Sequence, residues 1–170
     1  RFYPAPPRGP RDRPVILYVG RVAAEKNIEA FLRLNCAAEK VVVGDGPALP
    51  ALRRAYPEVT YCGTLAGSAL ADAYRAADAF VFPSRTDTFG MVLIEAIASG
   101  LPIAAHDVPG PRDIVTNPSL GALDPDLGRA VARALAAPSD RAARHAHARE
   151  TYSWNRVADV FHRHCAELAA

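Results

Sequence analysis

Tryptophan and methionine occur once each in the 170 residues, and cysteine three times, at Cys36, Cys62 and Cys165. Three scattered thiols cannot build a disulfide framework or a metal cluster, so an ordinary apolar core has to hold the fold. The cysteines are read as small buried hydrophobes, and a reducing, cytoplasmic setting is expected. Charge of one sign is also missing, since 20 Lys and Arg stand against 18 Asp and Glu for a net +2. That balance removes the basic footprint of a nucleic-acid binder and the acidic tail of a solvating segment. No apolar run reaches the roughly 18 residues of a membrane span, and no signal peptide is recognisable.

What is present is half hydrophobic, enough at this length for one sizeable core. Residues 1–13, RFYPAPPRGPRDR, read as a proline-rich linker. The remainder, 14–170, reads as one domain. With Arg1 in first place, the chain is expected to be a piece of something longer.

Beyond the linker, apolar runs alternate with amphipathic ones. PVILYVG (14–20), KVVVGDG (40–46), VTYCG (59–63), DAFVFPS (78–84), PIAAHDV (102–108) and a short GALD (121–124) are expected strands, ending in Gly, Ser, Asp or Val. NIEAFLRL, PALPALRRAY, SALADAYRAA and MVLIEAIAS carry apolar residues at three- and four-residue spacing and are expected helices, with Asn27 and Ser68 as N-caps and Pro47 at a helix start. PDLGRAVARALAA, SDRAARHAHARE and SWNRVADVFHRHCAELAA form a helical tail. Strand and helix in strict alternation imply an α/β fold of Rossmann-like, doubly wound type, with a parallel sheet and helices on both faces.

In such a sheet the binding crevice lies beyond the carboxyl ends of the strands. The first loop there, GRVAAEKN (20–27), places Gly20, Arg21 and Lys26 where the first helix opens. Cations at a helix N-terminus oppose the macrodipole, and an anionic ligand would reverse that cost. The second loop, GDGP (44–47), bends tightly at Gly44 and Gly46. The third, SRTDTFGMVLIE (84–95), sets Asp87 and Glu95 eight positions apart around Thr88, Phe89 and Gly90. A helix starting after Gly90 would offer the amides of Met91, Val92 and Leu93 to a phosphate, and glycine would let that ligand approach the backbone. Glu95 could accept from vicinal hydroxyls, as acids do for the ribose of dinucleotides. Each loop also has a plain reading as turn chemistry or solvated charge. The fourth, DVPGPRDIV (107–115), is read as a loop carrying Gly110 and Asp113.

These segments in this order carry a resemblance. GRVAAEKN, VVGDGP, PSRTDTFGMVLIEAIASGLPIAA, GPRDIV and YSWNRVADVF together resemble the C-terminal, nucleotide-sugar-binding half of a group 1 (GT4-type) glycosyltransferase of the GT-B fold, over roughly residues 14–168. The resemblance implies that Arg21 and Lys26 bind the donor's diphosphate, that Glu95 holds the ribose, and that position 87 contacts the transferred sugar. It further implies that residues 89–93 present backbone to the phosphates, that Thr88 belongs to the same binding site, and that Gly63, Thr64 and Leu65 lie against the base. Asp87 departs from the family's usual glutamate by one methylene.

The activity implied is transfer with retention of configuration, without a cofactor or bound metal, from a nucleoside-diphosphate sugar; UDP, GDP and ADP sugars are all served by this architecture. The acceptor site would belong to an N-terminal half absent from the chain, so the chain alone should bind donor and transfer nothing. A lipid acceptor would bring the full-length enzyme to a membrane surface. The alternative is a non-catalytic module for a nucleotide sugar or phosphate ligand. A receiver-like domain would need an acidic cluster where the first strand ends in YVGR, and a dinucleotide fold would need G-x-G-x-x-G there. His145/His147 and His162/His164 point about 200° apart if helical and make poor metal pairs. His106, at a strand end, is read as structural.

Overall fold

A computed structural model of the chain describes residues 2–6, 12–87, 90–138 and 140–168. Six strands form one parallel sheet: β1 (Val15–Val19), β2 (Glu39–Val43), β3 (Thr60–Tyr61), β4 (Ala79–Phe82), β5 (Ile103–Ala105) and β6 (Gly121–Leu123), in the order β3-β2-β1-β4-β5-β6. The connecting helices are α1 (Ile28–Leu32), α2 (Leu49–Ala55), α3 (Gly67–Ala76), α4 (Met91–Ala98), α5 (Pro109–Ile114) and α6 (Leu127–Ala136), followed by α7 (Arg141–Tyr152) and α8 (Trp154–Leu168). This is the doubly wound α/β architecture expected from the alternation.

The strands are apolar almost throughout because both faces are covered, as parallel sheets require. Leu17, Phe80, Phe82, Ile103 and Ala105 point to one face, where Tyr74 of α3 and Leu93, Ala96 and Ile97 of α4 cover them. Their neighbours Ile16, Tyr18, Val81 and Ala104 point to the other, against Ile28, Phe31 and Leu32 of α1 and Ala130, Val131 and Ala134 of α6. Each large side chain removed from water in this way stabilises the fold by about 1.5–3 kcal/mol. Arg144 of α7, itself buried, anchors the tail by donating to the carbonyls of Ser119 at 2.7 Å and Pro138 at 2.8 Å.

Strand order reverses between β1 and β4, which diverge beyond their paired residues Leu17 and Phe80. A crevice opens at such a point. The loops after β1 and β4 therefore form its walls.

Several local expectations are corrected. The segment 107–115 is not a loop throughout, because Pro109–Ile114 forms α5, with Gly110, Pro111 and Ile114 buried. Pro within the first turn of a helix costs nothing there, so Pro109 opens a helix where a loop was expected. Ser68 is not an N-cap: Ala66 holds that position and Gly67 begins α3. The helix after GDGP begins at Leu49, with Pro50 rather than Pro47 in its first turn. Cys62 and Cys165 are exposed and Cys36 is half-buried. The first described residues, assigned to a linker, lie against the domain: the Phe2 ring meets Tyr74 edge-on at 5.5 Å, and Arg75 sits over the Tyr3 ring at 4.8 Å.

Candidate functional site

The β1 loop is held by contacts that fix its backbone before any ligand arrives. Tyr18, buried at the strand end, donates its hydroxyl to the Arg21 carbonyl at 2.7 Å. Burial first, and then the charges of Asp87 and Glu25, push that hydroxyl's pKa well above its ordinary value, so it remains a donor. Ala24–Lys26 make a single 3-10 turn, and Asn27 follows at φ 52°, the left-handed region that Asn tolerates better than most residues. Asn27 occupies the expected N-cap position of α1, yet its side chain does not cap the helix. Its amide instead donates to the Pro83 carbonyl at 2.9 Å and ties the β1 loop to the β4 loop.

The second loop is stitched to the first through backbone. Val22 N–H donates to the Asp45 carbonyl at 2.9 Å, Ala48 N–H to the Val22 carbonyl at 3.1 Å, and Gly44 N–H to the Gly63 carbonyl at 2.8 Å. A Cβ at Gly44 would collide with the Gly20 carbonyl, and one at Gly46 with the Val22 carbonyl. These glycines are needed for close loop packing, whatever ligand they meet. Gly63 has φ 67° with open space beside it, while Thr64 is exposed and Leu65 half-buried at the rim beyond β3.

Between the β1 and β4 loops lies a cavity of about 220 Å³ lined by Gly20, Arg21, Lys26, Asp87, Gly90, Met91 and Val92 of the expected set, and also by Tyr18, Val19, Phe82, Pro83 and Ser84. Lys26 Nζ meets Asp87 Oδ1 at 2.5 Å, with 31% and 22% of the two side chains exposed. Arg21 pairs with Glu25 at 3.3 Å on the open side. Gly90 is the N-cap of α4, and among the described residues no side chain caps it. The positive end of the helix dipole therefore faces the cavity. Leu93 differs from the expectation for a phosphate-facing residue: its amide bonds the Gly90 carbonyl at 2.9 Å and its side chain is wholly buried. A Cβ at Gly90 would press on that Leu93 side chain at 3.0 Å. Thr88 and Phe89 lie outside the described residues.

Glu95 is one turn further along α4, outside the cavity lining, and accepts from the Tyr74 hydroxyl at 2.9 Å. Tyr74 is wholly buried. Its pKa is pushed far up by burial and by the adjacent Glu95 charge, which keeps the hydroxyl a donor. His106 is buried at the end of β5, with Nδ1 3.1 Å from the Pro125 carbonyl. Burial chiefly, and then the Arg85 cation, lower its pKa.

Among the residues whose part in the site was not anticipated from the sequence, Tyr18 and Asn27 set the loop, while Ser84 lies in the lining with its hydroxyl buried and unpartnered among the described residues. The one available signal was the asparagine between two helical turns; Tyr18 and Ser84 look like ordinary strand-end residues.

The model of the family described as glycosyl transferases group 1 matches residues 13–140. The chain belongs to the group 1 glycosyltransferases. GDP-mannose-dependent alpha-mannosyltransferase of Mycolicibacterium smegmatis is 43% identical over 108 residues, covering 62% of this chain and 29% of that enzyme. The Mycobacterium tuberculosis enzyme of the same name is 40% identical over 118 residues, covering 68% and 31%. This glycosyltransferase chain thus spans about a third of the length of those relatives. Sucrose-phosphate synthase from Thermosynechococcus elongatus superposes with a TM-score of 0.75 at 25% identity, over 98% of this chain and 49% of that structure. Among the described residues of the glycosyltransferase chain, no helix is long and apolar enough to cross a membrane.

Proposed function

We propose that this domain binds the nucleoside-diphosphate sugar from which a retaining glycosyltransferase transfers the sugar, the acceptor being held by a further, N-terminal domain of the same enzyme. The observation that carries the reading is the convergence of Arg21, Lys26 and the N-terminus of α4 on one cavity at the reversal of strand order. Breaking the bond between sugar and diphosphate builds negative charge on the leaving phosphate. Two cations and a helix dipole in place beforehand stabilise that charge without reorganising, so the leaving side needs no general acid. Asp87 takes the sugar side and Glu95 the ribose side in this reading. The names of the two mycobacterial relatives make GDP the first nucleotide to test, before UDP and ADP.

Calorimetric titration of the chain with the three diphosphates, alongside an assay of sugar transfer, tests the reading. Binding of one diphosphate without transfer by the chain alone is the expected result. Arg21→Ala and Lys26→Ala should weaken the diphosphate far more than the corresponding nucleoside. Equal losses for both ligands, or transfer by the isolated chain, would refute the assignment.

A further inference from the structure

Both cations of the β1 loop are already paired with carboxylates, but the two pairs differ. Arg21 and Glu25 lie four positions apart on an open surface, with 64% and 55% of their side chains exposed. Such a pair is weak and easily released. Lys26 and Asp87 come from loops 61 residues apart in sequence, meet at 2.5 Å, and stand in the cavity wall more than two-thirds shielded from water. The two loops are tied together close by, where the Asn27 amide donates to the Pro83 carbonyl. The acid is therefore presented to the ammonium by the fold.

We propose that Asp87 is a built-in competitor for the ligand's phosphate: its carboxylate fills the anion position on Lys26 in the empty site, and it has to be displaced before a second phosphate group can bind there. The inference rests on the donor-binding reading above and adds to it the exchange by which the second phosphate reaches Lys26. A single phosphate group can settle on the α4 N-terminus beside Arg21, but has nothing left with which to displace Asp87. A diphosphate anchors one group there, and its second group then competes with the carboxylate intramolecularly, at a high effective concentration. An ammonium can donate to two acceptors, yet two anions on one Nζ repel each other, so the groups exchange rather than add.

Inorganic pyrophosphate and inorganic phosphate, titrated into the wild-type chain and Asp87→Asn, test this without any contribution from base or sugar. The asparagine keeps the shape and removes the charge. Asp87→Asn should bind pyrophosphate about two- to fivefold more tightly, the range expected for releasing an ion pair of this kind, and should gain less for phosphate, so that the preference for pyrophosphate widens. Adding Lys26→Gln to Asp87→Asn should abolish the gain, because the contested cation is gone; a gain that survives would mean a general change in surface charge and would overturn the proposal. Asp87→Ser provides a second uncharged variant should the asparagine fold poorly, and circular dichroism confirms that each variant is folded. If wild type binds pyrophosphate and neither uncharged variant binds it more tightly, the competitor idea fails while donor binding stands. If wild type binds neither pyrophosphate nor any nucleoside diphosphate, both fail together.

Discussion

Glu95→Ala, set beside Tyr74→Phe, separates the two uses to which the Glu95 carboxylate can be put. In the fold it accepts from the hydroxyl of a wholly buried tyrosine at 2.9 Å; the other acceptor of that hydroxyl, the Val92 carbonyl, is distant at 3.4 Å. Removing the carboxylate strands a buried donor of a charged hydrogen bond, a loss of about 1.5–3 kcal/mol. For a chain of this size that lowers the melting temperature by about 3–12 °C. Tyr74→Phe removes the donor instead, and leaves a half-buried carboxylate that water can reach, so its cost should be nearer 1 kcal/mol. The double variant should be little worse than Glu95→Ala, because the two changes remove the same bond. Binding divides them differently. If Glu95 also receives ribose hydroxyls, Glu95→Ala should weaken nucleoside diphosphate at least tenfold, the equivalent of about 1.4 kcal/mol, while Tyr74→Phe should change it less than twofold. Thermal melts followed by circular dichroism and calorimetric titration at a temperature where all variants are folded supply both readouts. Equal binding losses for Glu95→Ala and Tyr74→Phe, or no binding loss for Glu95→Ala, would show that the carboxylate serves the fold alone.

Gly46→Ala should destabilise by about 1–3 kcal/mol in urea denaturation, because its methyl collides with the Val22 carbonyl. It should also weaken diphosphate binding, since Val22 lies between Arg21 and Lys26; unchanged binding would mean that the loop tolerates the shift. His106 gives a pH dependence whose sign follows from its lowered pKa. The unfolded chain takes up a proton near the ordinary value of 6.5, whereas the folded chain resists it. Its contribution is therefore full above that pH and is lost as pH falls through 6.5 toward the folded value. Wild type should lose more stability than His106→Gln between neutral pH and about pH 5; parallel profiles would refute the claim.

Much of this was legible in the chain because it is local. The runs PVILYVG and DAFVFPS declare strands buried on both faces, since nothing polar interrupts them, and their alternation with amphipathic segments leaves few topologies open. Once strands are placed, the residues at their carboxyl ends are placed too, so Arg21, Lys26, Asp87 and Gly90 could be assigned to one rim. The segment 107–115 reads as a loop, yet α5 forms there because proline's fixed φ suits a first helical turn as well as a turn. Ser68 misled because capping depends on backbone angles that its neighbours decide. Only the tertiary structure determined that Lys26 faces Asp87 across 61 residues of sequence, that Asn27 fastens the two loops rather than capping its helix, and that Gly44 and Gly46 are small because the Gly20 and Val22 carbonyls occupy the space a Cβ would need. Periodicity and propensity are properties of neighbours along the chain. An ion pair, a cross-loop hydrogen bond and a steric collision are properties of neighbours in space, and these arise only after the sheet has brought its strand ends together.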